Sequence, residues 1–222
     1  ILGESPRPID NERKALELLF LEAQRKPVDV LPATNTEVGQ FLVRARWLQQ
    51  NLKDTKGSQV ERLVTMALDD ETLVRLAHDR AKGLRSFEDI RKMNWQAIVK
   101  SYLGDAIIAE INRLAPIHCS LQNGKEYRIE YAVGKQPQVS IRIQHLFGIT
   151  YVPPIVDGEV NLVVQLLGPN NRPQQRTTDL QSFWCTTYPL VKKELKRRYP
   201  KHSWPDDPHQ AVGKKQRWGK NG

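Results

Sequence analysis

The chain has 222 residues, 39% of them hydrophobic and 27% charged, with a net charge of +9 at neutral pH. This balance suits one large or two small soluble globular domains and excludes a disordered chain. No apolar run approaches the roughly 20 residues that span a bilayer, and two isolated cysteines, Cys119 and Cys185, are too few for a disulfide framework and point to a reducing cytoplasm. The sequence begins at Ile1 rather than Met, so it reads as a piece of a longer protein, and its start has no basic-then-apolar segment of the secretory type.

The first half is predicted to be helical. The segment 11–25 is dense in Leu, Glu and Ala and stops at Pro27. Thr34-Asn35-Thr36-Glu37 has capping-box spacing, and Val38, Phe41, Leu42, Ala45, Leu48 and Leu52 follow on one helical stripe. Ser58 to Glu61 repeats the capping signal, Asp70 opens a helix expected to stop at Gly83, and Ser86 to Asp89 starts another. Asn94 and Asp105 begin two short helices that Pro116 terminates.

Beyond Pro116 the period changes to two. Asn123-Gly124 is a turn dipeptide, and Tyr127, Ile129, Tyr131 and Val133 alternate with Glu126, Arg128 and Glu130 as in a half-buried strand. Val139, Ile141 and Ile143 continue the alternation. Asp157-Gly158 predicts a hairpin between Ile155-Val156 and the apolar run 160–167, and Pro153 and Pro154 confine the strand before it to an edge. The stretch 169–173 is a loop, and a helix from about Thr187 to Arg198 ends before Pro200. The Gly- and Lys-rich tail from His209 has nothing to build a core and is expected to be disordered.

The positive charge is concentrated. Residues 172–222 hold twelve Lys/Arg against four acids, a surplus of eight, which leaves one for the rest of the chain. Such asymmetry points to a polyanionic partner near that end. Lys192 with Lys196 and Lys193 with Arg197 form i,i+4 rows on the predicted helix, while Tyr188, Val191, Leu195 and Tyr199 form its apolar stripe. Like charges so spaced cost a few tenths of a kcal/mol per pair, which phosphates offset by releasing counterions. Arg198, Lys201, Lys214, Lys215 and Arg217 extend the patch, and Trp218 is placed to stack on an unpaired base. The same surface would also suit docking on an acidic protein face, or simple solvation.

A series of motifs runs through the second half: Arg142-Ile143-Gln144-His145-Leu146-Phe147-Gly148, Leu166-Leu167-Gly168-Pro169, Arg172-Pro173, Thr178-Asp179-Leu180 and Phe183-Trp184. It closes with Val191-Lys192-Lys193-Glu194-Leu195 and the run 198–208, RYPKHSWPDDP. This series resembles the C-terminal domain of HrpB-type DEAH-box RNA helicases. Arg113-Leu114-Ala115-Pro116-Ile117-His118 is similar to that family's segment upstream, and the helical part from Leu31 to its connector region. His145 stands where the family pattern has Glu, Gly168 where it has Ser, and Asn123-Gly124 where Ser-Gly is common. The resemblance implies a parent ATP-dependent helicase, an ATP hydrolase, whose two motor domains bind ATP and Mg. This chain has neither a G-x-x-x-x-G-K-[ST] phosphate loop nor an Asp-Glu-x-His motif, so no catalytic residue and no cofactor is assigned to it.

Other constellations carry less chemistry. His202, Asp206, Asp207 and His209 match no zinc or facial-triad spacing, so no metal is assigned and Asp206-Asp207-Pro208 reads as a turn. His118 and Cys119 are strand neighbours on opposite faces, so the His cannot readily serve the Cys as base. Tyr127 and Tyr131 share a strand face that either packs a core or stacks bases. Tyr199 and Trp204, among prolines, are expected to pin the segment 199–205 onto the domain's own core.

The expected fold class is α+β: an all-helical connector over 1–116, a small α+β domain with an antiparallel sheet over 117–208, and a basic tail over 209–222. The expected function is an accessory module that helps the helicase core of the same parent hold RNA or single-stranded nucleic acid. The competing expectation is a module that braces that core or binds another protein and touches no nucleic acid.

Overall fold

A computed structural model describes residues 8–52 and 58–209. The chain divides into two compact units, with the division between Asn112 and Arg113. Each is built around its own apolar core.

The first unit is helical: α1 (Pro8–Arg25), a 3-10 turn (Pro27–Asp29), α2 (Glu37–Asn51), α3 (Ser58–Thr65), α4 (Asp70–His78), α5 (Phe87–Arg91), α6 (Trp95–Leu103) and α7 (Asp105–Leu114), whose last two residues, Arg113 and Leu114, already belong to the second unit. Caps set the boundaries, because the first amides of a helix have no partner inside it. Ser86 and Asp89 close the expected capping box and Asn94 caps α6. Two other caps fall one or two residues from the expected positions. Thr36 rather than Thr34 accepts from Gly39 N, and Asp69 rather than Asp70 accepts from Thr72 N. In both cases the capping residue is the one with extended backbone, which aims its side chain back at the open amides. The helix from Asp70 stops at His78, before Gly83.

Leu42, Ala45, Trp47 and Leu48 of α2, Leu73, Val74 and Ala77 of α4, and Ile98 and Val99 of α6 are buried. α1 packs on α4, where Phe20 meets His78 edge-on at 4.8 Å between ring centroids. Arg46 joins α2 to the start of α4 through Leu68 O (2.7 Å) and Asp70 Oδ1 (2.6 Å).

The second unit holds a five-stranded sheet in the order β1 (His118–Ser120), β2 (Glu126–Glu130), β3 (Gln138–Arg142), β4 (Val163–Leu167), β5 (Pro173–Thr177). The α+β architecture agrees with the sequence, but the sheet is mixed rather than antiparallel. β3 and β4 run parallel, and the other pairs are antiparallel. A parallel pair needs a long crossover, and the segment 143–162 supplies it. The expected hairpin at Asp157-Gly158 shrinks to one antiparallel bridge, Ile155 to Val160. Val156 and Asp157 take φ of 53° and 54° at its tip, an outlying conformation for a β-branched residue. It is held because Val156 is buried and donates its N–H to Leu114 O (3.0 Å), while Arg113 grips the Asp157 carboxylate.

The last helical run starts earlier than expected. Asp179 caps α8 (Leu180–Ser182), a π turn follows (Phe183–Thr187), and α9 spans Tyr188–Arg198. Pro189 lies at the start of α9 and has no N–H for the carbonyl four residues back, so the helix widens there and Tyr188 N reaches Phe183 O instead.

Candidate nucleic-acid interface

The apolar stripe of α9 behaves as its spacing predicts. Tyr188 and Leu195 are buried, and Val191 and Tyr199 are half-buried. Tyr188 completes an aromatic cluster with Phe147, Phe183 and Trp184, at centroid distances of 5.1 to 6.2 Å for its own pairs. Burial pushes the Tyr188 phenol well above its ordinary pKa, and Asp206 adds to this.

The segment after α9 folds back over that stripe. Tyr188 Oη donates to Pro205 O (3.1 Å), Trp204 Nε1 to Tyr199 O (3.0 Å) and Gly148 N to Pro208 O (2.8 Å). The Tyr-Pro-Lys-His-Ser-Trp-Pro run is therefore a strap closing the domain, with Trp204 buried beneath it.

The strap divides the basic residues into two sets. Lys192 is about 55° of helical rotation from the centre of the buried stripe at ~100° per residue, and its side chain is only 15% exposed in an ion pair with Asp206. That hydrogen bond, with Lys192's charge and a weaker contribution from Lys196, holds the Asp206 carboxyl below its usual range. Arg198 pairs with Glu194 at 2.6 Å on the opposite shoulder. Lys193, Lys196, Arg197 and Lys201 are exposed and have no carboxylate within ion-pair distance among the described residues. The structure thus brings Lys193, Lys196 and Arg197 onto one open face, with Lys201 just beyond it. Lys214, Lys215, Arg217 and Trp218 lie outside the described residues.

In Lys192→Gln the Asp206 pKa is accordingly expected to rise towards its ordinary value, as read by carboxyl NMR titration. Because the folded pKa of Asp206 is depressed, its stabilising pair is present above the unfolded value near 3.8 and is lost as pH falls through the lower folded one. An unmoved Asp206 titration in the variant would contradict the pairing.

The remaining candidates resolve structurally. Tyr131 is buried and donates to Pro116 O (2.8 Å), while Tyr127 Oη meets His145 Nδ1 at 2.9 Å, so neither ring offers an open stacking platform. Cys119 is buried and His118 exposed on alternate faces of β1, and burial raises the thiol pKa. Among the described residues no three His, Cys, Asp or Glu side chains converge as metal ligands, and no helix is long and apolar enough to cross a membrane. Arg128, Arg142 and Arg176, on the outer face of the sheet, went unmarked by sequence reasoning, because only strand register puts them on one face.

Residues 77–208 match the family model described as "ATP-dependent helicase C-terminal". The chain is 34% identical over 146 residues to ATP-dependent RNA helicase HrpB of Escherichia coli (strain K12), a match covering 64% of this chain and 18% of that protein. It superposes on the crystal structure of the E. coli DExH-box NTPase HrpB with a TM-score of 0.73 and 28% identity, over 96% of this chain and 25% of that one. A second crystal structure, of the E. coli DEAH/RHA helicase HrpB, gives 0.58 and 26%, over 90% and 24%. The chain therefore spans about a quarter or less of the length of these relatives.

Proposed function

Because this chain belongs to the ATP-dependent helicase C-terminal family, we propose that it is a non-catalytic accessory region that holds RNA or single-stranded nucleic acid for a motor in the same parent chain. The observation that carries this reading is the open cationic face of α9. Lys193 and Arg197, an i,i+4 pair of like charge, stand exposed with no carboxylate within ion-pair distance among the described residues. Phosphates relieve that repulsion and release counterions, which gives affinity with little sequence preference. ATP and Mg belong, on this reading, to the motor domains.

The test is fluorescence anisotropy of a labelled single-stranded RNA, scanned over salt, for the native chain and for Lys193→Gln/Lys196→Gln/Arg197→Gln. Removing three phosphate contacts is expected to flatten the slope of log K against log salt by about two for a single strand. An unchanged slope removes α9 from the binding surface.

One observation favours the docking alternative. Leu190, 68% exposed, lies three and seven residues before Lys193 and Arg197 on the same face. An apolar side chain beside cations suits a protein surface. Absence of RNA binding at low salt in the native chain would select that reading, with the motor or another protein as partner.

A further inference from the structure

The sheet of the second unit turns its apolar face inward, with Ile129, Val139, Ile141, Val164 and Leu166 all buried. The alternate positions fall in register on the other side and are mostly polar, with the apolar Val163 beside Gln138 and Leu167 beside Arg142. His118 lies opposite Arg128, Glu130 opposite Gln138, Ser140 beside Gln165, and Gln165 opposite Arg176. These polar side chains are exposed or half-buried.

Hydrogen bonds organise them into a ladder across the strands. Arg176 Nη2 donates to Gln138 Oε1 (3.1 Å), Gln138 Nε2 to Glu130 Oε2 (2.7 Å), and Ser140 Oγ to Glu130 Oε1 (3.3 Å). At the end of β3, Arg142 Nε donates to Asn171 Oδ1 (2.7 Å). Arg128, Arg142 and Arg176 have no carboxylate within ion-pair distance among the described residues, whereas the face's acids, Glu126 and Glu130, already accept side-chain hydrogen bonds. A guanidinium oriented by a neutral amide keeps its full charge and has less rotamer freedom left to lose on binding.

We propose that this polar sheet face is a second contact surface for single-stranded RNA, engaged through the Arg128, Arg142 and Arg176 guanidiniums and the amides between them; it rests on the reading that the chain holds RNA. Phosphates match the uncompensated cations. Planar guanidiniums stack on unpaired bases, and Gln and Ser side chains reach base edges. The face presents no aromatic anchor, the group around which protein–protein contacts are typically organised, so the charge and the amide pattern favour a nucleic-acid strand.

The test uses the full chain and a fluorescein-labelled 20-mer of uridine carrying one 4-thiouridine. Anisotropy over salt is measured for the native chain, for Arg128→Gln/Arg142→Gln/Arg176→Gln, and for the α9 triple variant. Peptides photo-crosslinked to the thio-base are mapped in the native complex. The expected result is about a tenfold or greater loss of affinity in the sheet variant, a slope flatter by about two, and crosslinks within 126–142 or 163–177. Arg142→Lys/Arg176→Lys is expected to restore the slope but only part of the affinity, since an ammonium supplies charge without a planar fork. Crosslinks confined to α9, with a sheet variant that binds as the native chain does, would overturn the proposal and leave the wider RNA-binding reading intact. No binding by the native chain at low salt would overturn both.

Discussion

Trp184→Ala is expected to destabilise the second unit by about 4 kcal/mol. The indole is buried, and its ring lies 5.0 Å from Phe183, 5.1 Å from Tyr188 and 6.0 Å from Phe147 between centroids. Removing it opens a cavity at the point where the π turn, α9 and the strap converge. It also leaves Ile149 O without its 2.9 Å partner, Trp184 Nε1, and an unsatisfied buried acceptor adds roughly 1–3 kcal/mol unless water reaches it. Trp184→Phe weights the two contributions differently, because it loses the hydrogen bond entirely but keeps one of the two fused rings and its contacts. Urea unfolding followed by Trp fluorescence and circular dichroism measures both. A loss below about 1 kcal/mol for the Ala variant, a surface-like value, would mean that the cluster does not anchor α9.

Gly39→Ala is the second large effect, and its sign opposes the usual one. Within a helix, Ala is ordinarily more stable than Gly by about 0.5–1 kcal/mol. Here a Cβ on Gly39 would lie 2.0 Å from Ala33 O and 2.7 Å from Ala33 C, both backbone atoms that cannot swing aside. The segment before α2 is bound tightly over that first turn. Thr36 Oγ1 donates to Ala33 O (2.7 Å) and accepts from Gly39 N (3.1 Å), and Gln40 Nε2 reaches Thr34 O. Relieving the clash breaks the cap, so a destabilisation of roughly 2–3 kcal/mol is expected. Thermal unfolding of the variant checks this. A raised midpoint would show that residues 33–36 can lift away at no cost.

Much of this architecture was legible from local chemistry. Ser86 with Asp89 and Asn94 signal helix starts because a short polar side chain can reach back to open amides, whatever lies farther away. The stripe of Tyr188, Val191, Leu195 and Tyr199 follows from helical period alone. Even the retreat of Lys192 was available, since its angular position beside that stripe puts it on the edge of the core. Where two residues compete to cap, as Thr34 with Thr36 or Asp69 with Asp70, composition cannot choose. Backbone conformation does, and the packing of the loop determines it.

What the sequence alone determined is what depends on neighbours within a few residues: the helical first half, the change to a period of two after Pro116, the basic helix with its apolar stripe, and the motif series that marks the family. Tertiary structure decided what depends on partners far along the chain. The parallel pairing of β3 with β4 across 143–162, the capture of Lys192 by Asp206, and the alignment of Arg128, Arg142 and Arg176 on one sheet face all join residues that no local period relates. The reason is that strand register and ion-pair choice are settled by which surfaces the core brings together, and a one-residue slip would send the same side chains to the opposite face.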